Sequence, residues 1–181
     1  MPAVHKCRWS LEEDRPEIDF EDRKNAANDW LMVGEVVDGT RPVSEYPRVS
    51  VHVDHADATR WDCYMDGGTR GLFSQRFVDA VGVSSFLGLT LLPAQLNEAT
   101  YYFIRCEEAT DCLDRAKSVY ETFRSDPTAI KRIDHYAFVG ESLPDDACFV
   151  LPELPDLLIT ESVAQRLQAA KLRGLRIQPL P

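Results

Sequence analysis

The sequence predicts an α+β fold: a mostly antiparallel sheet with a few short helices, arranged as two pseudo-repeated halves. Three observations lead there. The chain matches itself without a gap at an offset of 86 residues, segment 71–93 lying on segment 157–179. Its β-branched and aromatic residues gather in short runs of strand length. Its helix-like stretches are also short, each opened by a hydroxyl residue and followed by a glycine.

The matched segments can be read part by part. Leu72 falls on Leu158, Phe73 on Ile159, Ser74 on Thr160, Phe77 on Val163, Val81 on Leu167, Gly88 on Gly174, Leu91 on Ile177 and Pro93 on Pro179. Leu72-Phe73 and Leu157-Leu158-Ile159 read as strand ends. Ser74 and Thr160 suit the N-cap, where a side-chain oxygen accepts one of the first free helical N–H groups. Phe77 and Val81, like Val163 and Leu167, recur four apart on one helical face. Gly88 and Gly174 stand where the chain leaves the helix and turns, a position open to positive φ. Leu89 and Leu91, like Leu175 and Ile177, then alternate as a half-buried strand. The unit is strand, short helix, glycine turn, strand. Two copies are too few for a solenoid, so residues 1–181 are expected to form a single domain with halves of about 1–93 and 94–181.

The remaining elements follow in order. Residues 10–22 hold Glu12, Glu13, Asp14, Glu17, Asp19, Glu21 and Asp22 against Arg15 alone, a solvated loop or helix. Val49-Ser-Val-His-Val53 alternates as a strand. Thr100-Tyr-Tyr-Phe-Ile-Arg-Cys106 is a second strand, rich in aromatic and branched residues. Leu113, Ala116, Tyr120 and Phe123 fit a helix after Asp111 or Asp114, with a loop leading to a strand as the alternative. Ile130 to Val139 reads as a strand, and Cys148-Phe-Val-Leu151 as another, stopped by Pro152 and Pro155.

Composition narrows the function classes. Thirty acidic against 20 basic residues give a formal net charge of -10. That field repels nucleic acid and anionic membrane surfaces and attracts a basic partner. No apolar run approaches the roughly 20 residues that span a bilayer. The first ten residues carry no apolar core of a secretory signal. Five scattered cysteines (Cys7, Cys63, Cys106, Cys112, Cys148) do not make a disulfide framework. The expected compartment is the cytoplasm.

Signs of chemistry are sparse. His52-Val-Asp-His55, with Asp57, resembles a metal site, but on a strand His52 and His55 point to opposite faces, and a polar strand-to-loop transition explains them better. Cys106 and Cys112 are too far apart for a CxxC pair, and a nucleophilic thiol needs a histidine supplied by the fold. Phosphate-cradle and nucleophile-elbow motifs are missing. The carboxylates Glu107, Glu108, Asp111 and Asp114 read as a solvated face. Neither a catalytic residue nor a cofactor is expected. A small enzyme or metal protein using His52, His55 or a cysteine stands as the alternative.

One set of motifs carries a family resemblance. It comprises Leu72-Phe-Ser-Gln-Arg-Phe-Val-Asp-Ala-Val81, Leu92-Pro-Ala-Gln-Leu96, Tyr101-Tyr-Phe-Ile104, Asp111-Cys-Leu-Asp-Arg-Ala-Lys-Ser118, Cys148-Phe-Val-Leu-Pro-Glu153 and the ending from Leu157 to Leu180. Together these resemble immunity protein family eleven of bacterial polymorphic toxin systems, from about residue 60 onward. Trp30 to Gly34 adds a short match before that. A related group with two CxxCG motifs does not fit, because this chain has neither. The resemblance implies a protein that binds a cognate toxin and occludes its active site without chemistry of its own. A basic, nuclease-type toxin suits the acidic balance. Charge alone then nominates Glu12, Glu13, Asp14, Glu17 and Asp19 as toxin contacts, together with Glu107, Glu108, Asp111 and Asp114.

Overall fold

The computed structural model describes residues 3–9, 30–51, 58–65, 71–139 and 143–181. In chain order the elements are β1 (Val4–Trp9), α1 (Trp30–Val37), β2 (Val49–Val51), β3 (Cys63–Met65), β4 (Gly71–Ser74), α2 (Gln75–Val81), β5 (Leu89–Leu96), β6 (Ala99–Cys106), β7 (Val119–Thr122), β8 (Ile130–His135), β9 (Cys148–Phe149), β10 (Leu158–Thr160), α3 (Glu161–Ala170) and β11 (Leu175–Pro179). One sheet has the order β11-β1-β10-β9, a second β2-β5-β6-β4-β3, and β7 pairs with β8. Among the described strands only β2 and β5 form a parallel ladder, with one isolated parallel bridge between Phe86 and Cys148, so the expected α+β, mostly antiparallel architecture is found.

Each matched segment forms a strand, a helix and a second strand. The two strands of a unit lie either side of one antiparallel neighbour: β6 between β4 and β5, β1 between β10 and β11. The registers correspond as well. Ser74 faces Tyr101 as Thr160 faces Val4, and Pro93 faces Tyr102 as Pro179 faces His5. This likeness does not follow a division at residues 93 and 94. Strand β5 crosses that boundary, and β1 from the start of the chain is an interior strand of the sheet built on the second segment.

Alternation along the strands sorts side chains into three cores. Phe73, Ile104, Cys7, Cys148 and Ile159 face a shared core with Phe77, Val81, Val163 and Leu167 of α2 and α3. Their strand neighbours face the other way. Leu72 and Phe103 join Val33, Val36 and Val37 of α1. Leu158 and Phe149 join Ile130 and Ile133 of β8. Side-chain period two thus places each of the two larger sheets between two apolar layers. Each fully buried large residue contributes roughly 2 kcal/mol by desolvation.

Local chemistry sets the boundaries. The Phe77 N–H donates to Ser74 Oγ at 3.3 Å, capping α2 as expected. Thr160 does not cap α3. Its Oγ1 accepts the Ala147 N–H at 2.9 Å and donates to the Ala147 carbonyl at 3.3 Å, tying α3 to the β9 side instead. Gly88 and Gly174 have positive φ, 59° and 82°, but the helices end earlier, at Gly82 and Lys171. Between Leu113 and Phe123 the loop-to-strand alternative is the one adopted. Asp114 accepts the Lys117 N–H at 3.3 Å in a turn, and Ser118 Oγ accepts the Ala137 N–H at 3.0 Å, leading the branched run 119–122 into β7.

Arginines from elsewhere in the fold close the C-terminal ends of all three described helices. Arg105 Nη1 donates to the Val36 carbonyl of α1 at 2.9 Å, Arg166 Nε to Ala80 of α2 at 3.0 Å, and Arg76 Nη2 to Ala170 of α3 at 3.1 Å. Each meets free carbonyls at the negative end of a helix dipole. Each also has a carboxylate partner: Glu107, Asp146 and Asp62 respectively. Arg166→Ala is expected to cost about 1.5 kcal/mol, since hydrogen bonds to charged groups are worth that order. The same change should alter the acid response. Arg166 first, then Ser85, holds the Asp146 carboxyl below its ordinary 3.8. A depressed carboxylate stabilises above its unfolded value, and that contribution is lost as pH falls through the folded one. The gap between wild type and variant in urea melts should therefore narrow from pH 7 to pH 3.

Candidate interaction surface

The carboxylates Glu107, Glu108, Asp111 and Asp114 lie in the connection from β6 to β7. Backbone bonds pin this connection in place. The Glu107 and Glu108 N–H groups both donate to the Gly88 carbonyl, at 2.8 and 3.0 Å. The Thr110 N–H reaches Val150 at 2.8 Å and the Asp114 N–H reaches Ala137 at 2.8 Å. Two of the four carboxylates serve the fold. Glu107 Oε1 lies 2.9 Å from Arg105 Nε, an ion pair too poorly aligned to be a hydrogen bond. Asp114 pairs with Lys117 at 2.9 Å, and the Lys117 hydrogen bond is the main cause that holds its carboxyl below the usual range. Glu108 and Asp111 are exposed, held on a fixed backbone. The other nominated contacts, Glu12, Glu13, Asp14, Glu17 and Asp19, lie outside the described residues, as do His52 and His55.

Charge reasoning missed the apolar neighbours of this loop. Val119 is 57% exposed, Tyr120 38% and Phe123 46%, and β7 buries neither face fully. Arg115 links the two features. Its guanidinium pairs with Glu153 at 2.6 Å and also feels Asp111 and Tyr120, all of which raise its pKa, Glu153 most. A preformed acidic loop beside exposed aromatic and branched side chains combines steering charge with apolar contact area.

A cleft of about 660 Å³ is lined by Arg60, Asp62, Arg76, Thr100, Tyr101 and Arg173 among others. Asp62 is 3% exposed and accepts four hydrogen bonds: from Ser74 Oγ at 2.7 Å, Arg76 Nη1 at 2.9 and 3.2 Å, and the Arg173 N–H at 2.9 Å. The Arg173 guanidinium lies 4.3 Å from the centroid of the Trp61 ring. Tyr101 donates to the Trp61 carbonyl at 2.6 Å, and burial raises its pKa. These groups knit β3, α2 and the α3–β11 connection together, and their donors are committed to structure.

The thiols are equally structural. Cys7, Cys63, Cys112 and Cys148 are buried, and Cys106 is half-buried. Burial pushes Cys7 and Cys112 up to about 12, and Cys63 and Cys148 well upward. Thiolate is the reactive form, so a disulfide-exchange reagent at pH 7.5 should label the native protein slowly, with Cys106 first and all five thiols reacting only in denaturant. His5 Nε2 donates to Glu161 Oε2, 2.5 Å away, and His135 is exposed on β8. Among the described residues, no three ligating side chains converge on a metal position. No helix there is long and apolar enough to cross a membrane. Compared with known proteins, the chain matches no family model and no curated protein.

Proposed function

We propose that this chain is a stoichiometric protein inhibitor: an immunity protein that binds a cognate cytoplasmic toxin with a basic face and occludes its active site. The observation that carries this reading is the pinned loop bearing Glu108 and Asp111 beside the exposed residues Val119, Tyr120 and Phe123. A fixed backbone lowers the ordering cost of association. The formal charge of -10 supports fast encounter with a basic target. The resemblance of the motifs in residues 72–180 to immunity protein family eleven suggests the specific role. A complex of ordinary size would bury about 1,600 Å² in total.

The test is co-expression. A toxin domain encoded beside this gene should arrest growth when expressed alone and be neutralised when this chain is made with it. The purified pair should elute as a one-to-one complex. In the double charge reversal Glu108→Lys, Asp111→Lys, association should slow about tenfold at low salt, with the difference shrinking as salt rises. Undiminished toxicity in the presence of the wild-type chain would end the immunity reading.

A further inference from the structure

Among the described residues, the strand edges are guarded, with one exception. Unpaired edges template pairing with other chains, and proteins blunt them by shortness, charge, proline or bulges. Strand β9 has two residues, and β2 and β3 have three each. Strand β11 carries Arg176 and Pro179. Strand β8 carries Lys131 and Arg132, and its register with β7 is irregular at two places. Strand β7, Val-Tyr-Glu-Thr, has no lysine, arginine or proline, its one charge, Glu121, is paired with Lys131 and Arg132 of β8, and it pairs with β8 and no other strand among the described residues.

The direction of its free amides follows from the pairing. Val119 faces His135 and Tyr120 faces Ile133, then Glu121 faces Arg132 and Thr122 faces Ile130. The residues skipped, Asp134 and Lys131, are both in β8, so β7 itself remains regular. The Phe123 N–H donates to Ala129 at 3.1 Å, on the β8 side. Alternation along a strand then turns the amides of Tyr120 and Thr122 outward. Those amides, with Val119, Tyr120 and Phe123 around them, form a row of donors and acceptors set in apolar surface.

We propose that β7 is the docking edge of this protein, and that an extended, basic segment of its partner adds a strand along Val119–Thr122. Main-chain pairing of this kind supplies affinity while neighbouring side chains supply selectivity. The basic character follows from Glu108 and Asp111, which stand exposed on the loop that runs into β7. A second copy of this chain fits the edge poorly, because two bodies of formal charge -10 repel. This inference rests on the inhibitor reading and adds how the target is held.

The experiment uses the full chain and a catalytically inactive form of the toxin domain encoded beside it, with amide exchange read by NMR. At saturating toxin, exchange at Tyr120 and Thr122 should slow by about tenfold or more. Thr122→Pro, which removes an outward donor and no bond to β8, should weaken the complex by about tenfold or more. A tight complex in which both amides exchange as fast as in the free protein overturns the docking edge and leaves the inhibitor reading standing. Protection that rises with protein concentration in the absence of toxin assigns the edge to self-association and also overturns it. Failure of the wild-type chain to bind the toxin domain removes the inhibitor reading and this inference together. The exchange measurement needs no variant, so it stands even if Thr122→Pro proves unfolded.

Discussion

Asp62→Ala is expected to lower unfolding free energy by about 3 kcal/mol, the cost of breaking a buried, charge-assisted network from one side. The carboxylate is 3% exposed and takes donors from three separate places: the Ser74 hydroxyl, the Arg76 guanidinium and the Arg173 backbone. Alanine leaves the Ser74 hydroxyl and the Arg173 N–H without their acceptor and frees the arginine that closes α3. Its backbone adds two more ties, N–H to Arg173 and carbonyl from Ser74, that survive the substitution. The protein should therefore remain folded at low temperature but melt much earlier. Asp62→Asn should lose less, because an amide oxygen still accepts two of the donors. Chemical denaturation of both variants is the measurement, and equal losses would show that the charge of Asp62 matters more than its acceptor geometry.

Gly88→Ala is expected to be comparably damaging, again about 3 kcal/mol, for a different reason. Gly88 has φ 59°, and a Cβ built there would come within 2.0 Å of the Glu108 carbonyl oxygen and 2.9 Å of its carbon. That neighbour is backbone, so no rotamer change relieves the clash. Left-handed backbone adds a further cost of roughly 1 kcal/mol for alanine. The loop must lift, and with it the bonds from Glu107 and Glu108 to the Gly88 carbonyl. Circular dichroism melts give the loss of stability. If the proposed inhibitor reading holds, affinity for the toxin partner measured well below the melting temperature gives the second consequence, a weaker complex through displacement of Glu108. A variant with wild-type stability would mean that the loop accommodates the methyl by moving away cheaply.

Much of the fold could be read from local pattern, and the failures have a common cause. Strand β6 was legible because Thr100–Cys106 combines alternation with aromatic and branched residues. The Ser74 cap was legible because its acceptor and donor are three residues apart. The Thr160 cap failed because a partner 13 residues away, Ala147, competes for the same oxygen. Helix α1 went unseen. Trp30-Leu-Met-Val-Gly-Glu-Val-Val is rich in valine and interrupted by glycine, poor helix formers, and the burial of Val33, Val36 and Val37 at helical spacing shows only in the fold. At the candidate surface, charge pointed to Glu108 and Asp111, yet the same composition also holds Glu107 and Asp114, which are spent on Arg105 and Lys117. Tyr120 and Phe123 fitted one face of a helix by their spacing, with a loop leading to a strand as the alternative. Pairing with β8 placed them outside, and no local signal carries that.

The interior position of β1 orders events during synthesis. Translation reaches β1 before the other described elements, and it reaches the two neighbours of β1, β10 and β11, only after every strand of the other sheet. The Glu161 N–H donates to Ala3 and the Leu180 N–H to Val4, so residues 3–4 find these partners only once residues 161–180 have been made. At ordinary elongation rates β1 waits on the order of ten seconds. All strands of the other sheet, residues 49–106, are available well before then. The nascent protein therefore has one sheet it can close early and one it can close only once β11 has emerged, and β1 is the strand a chaperone would find unclaimed in between.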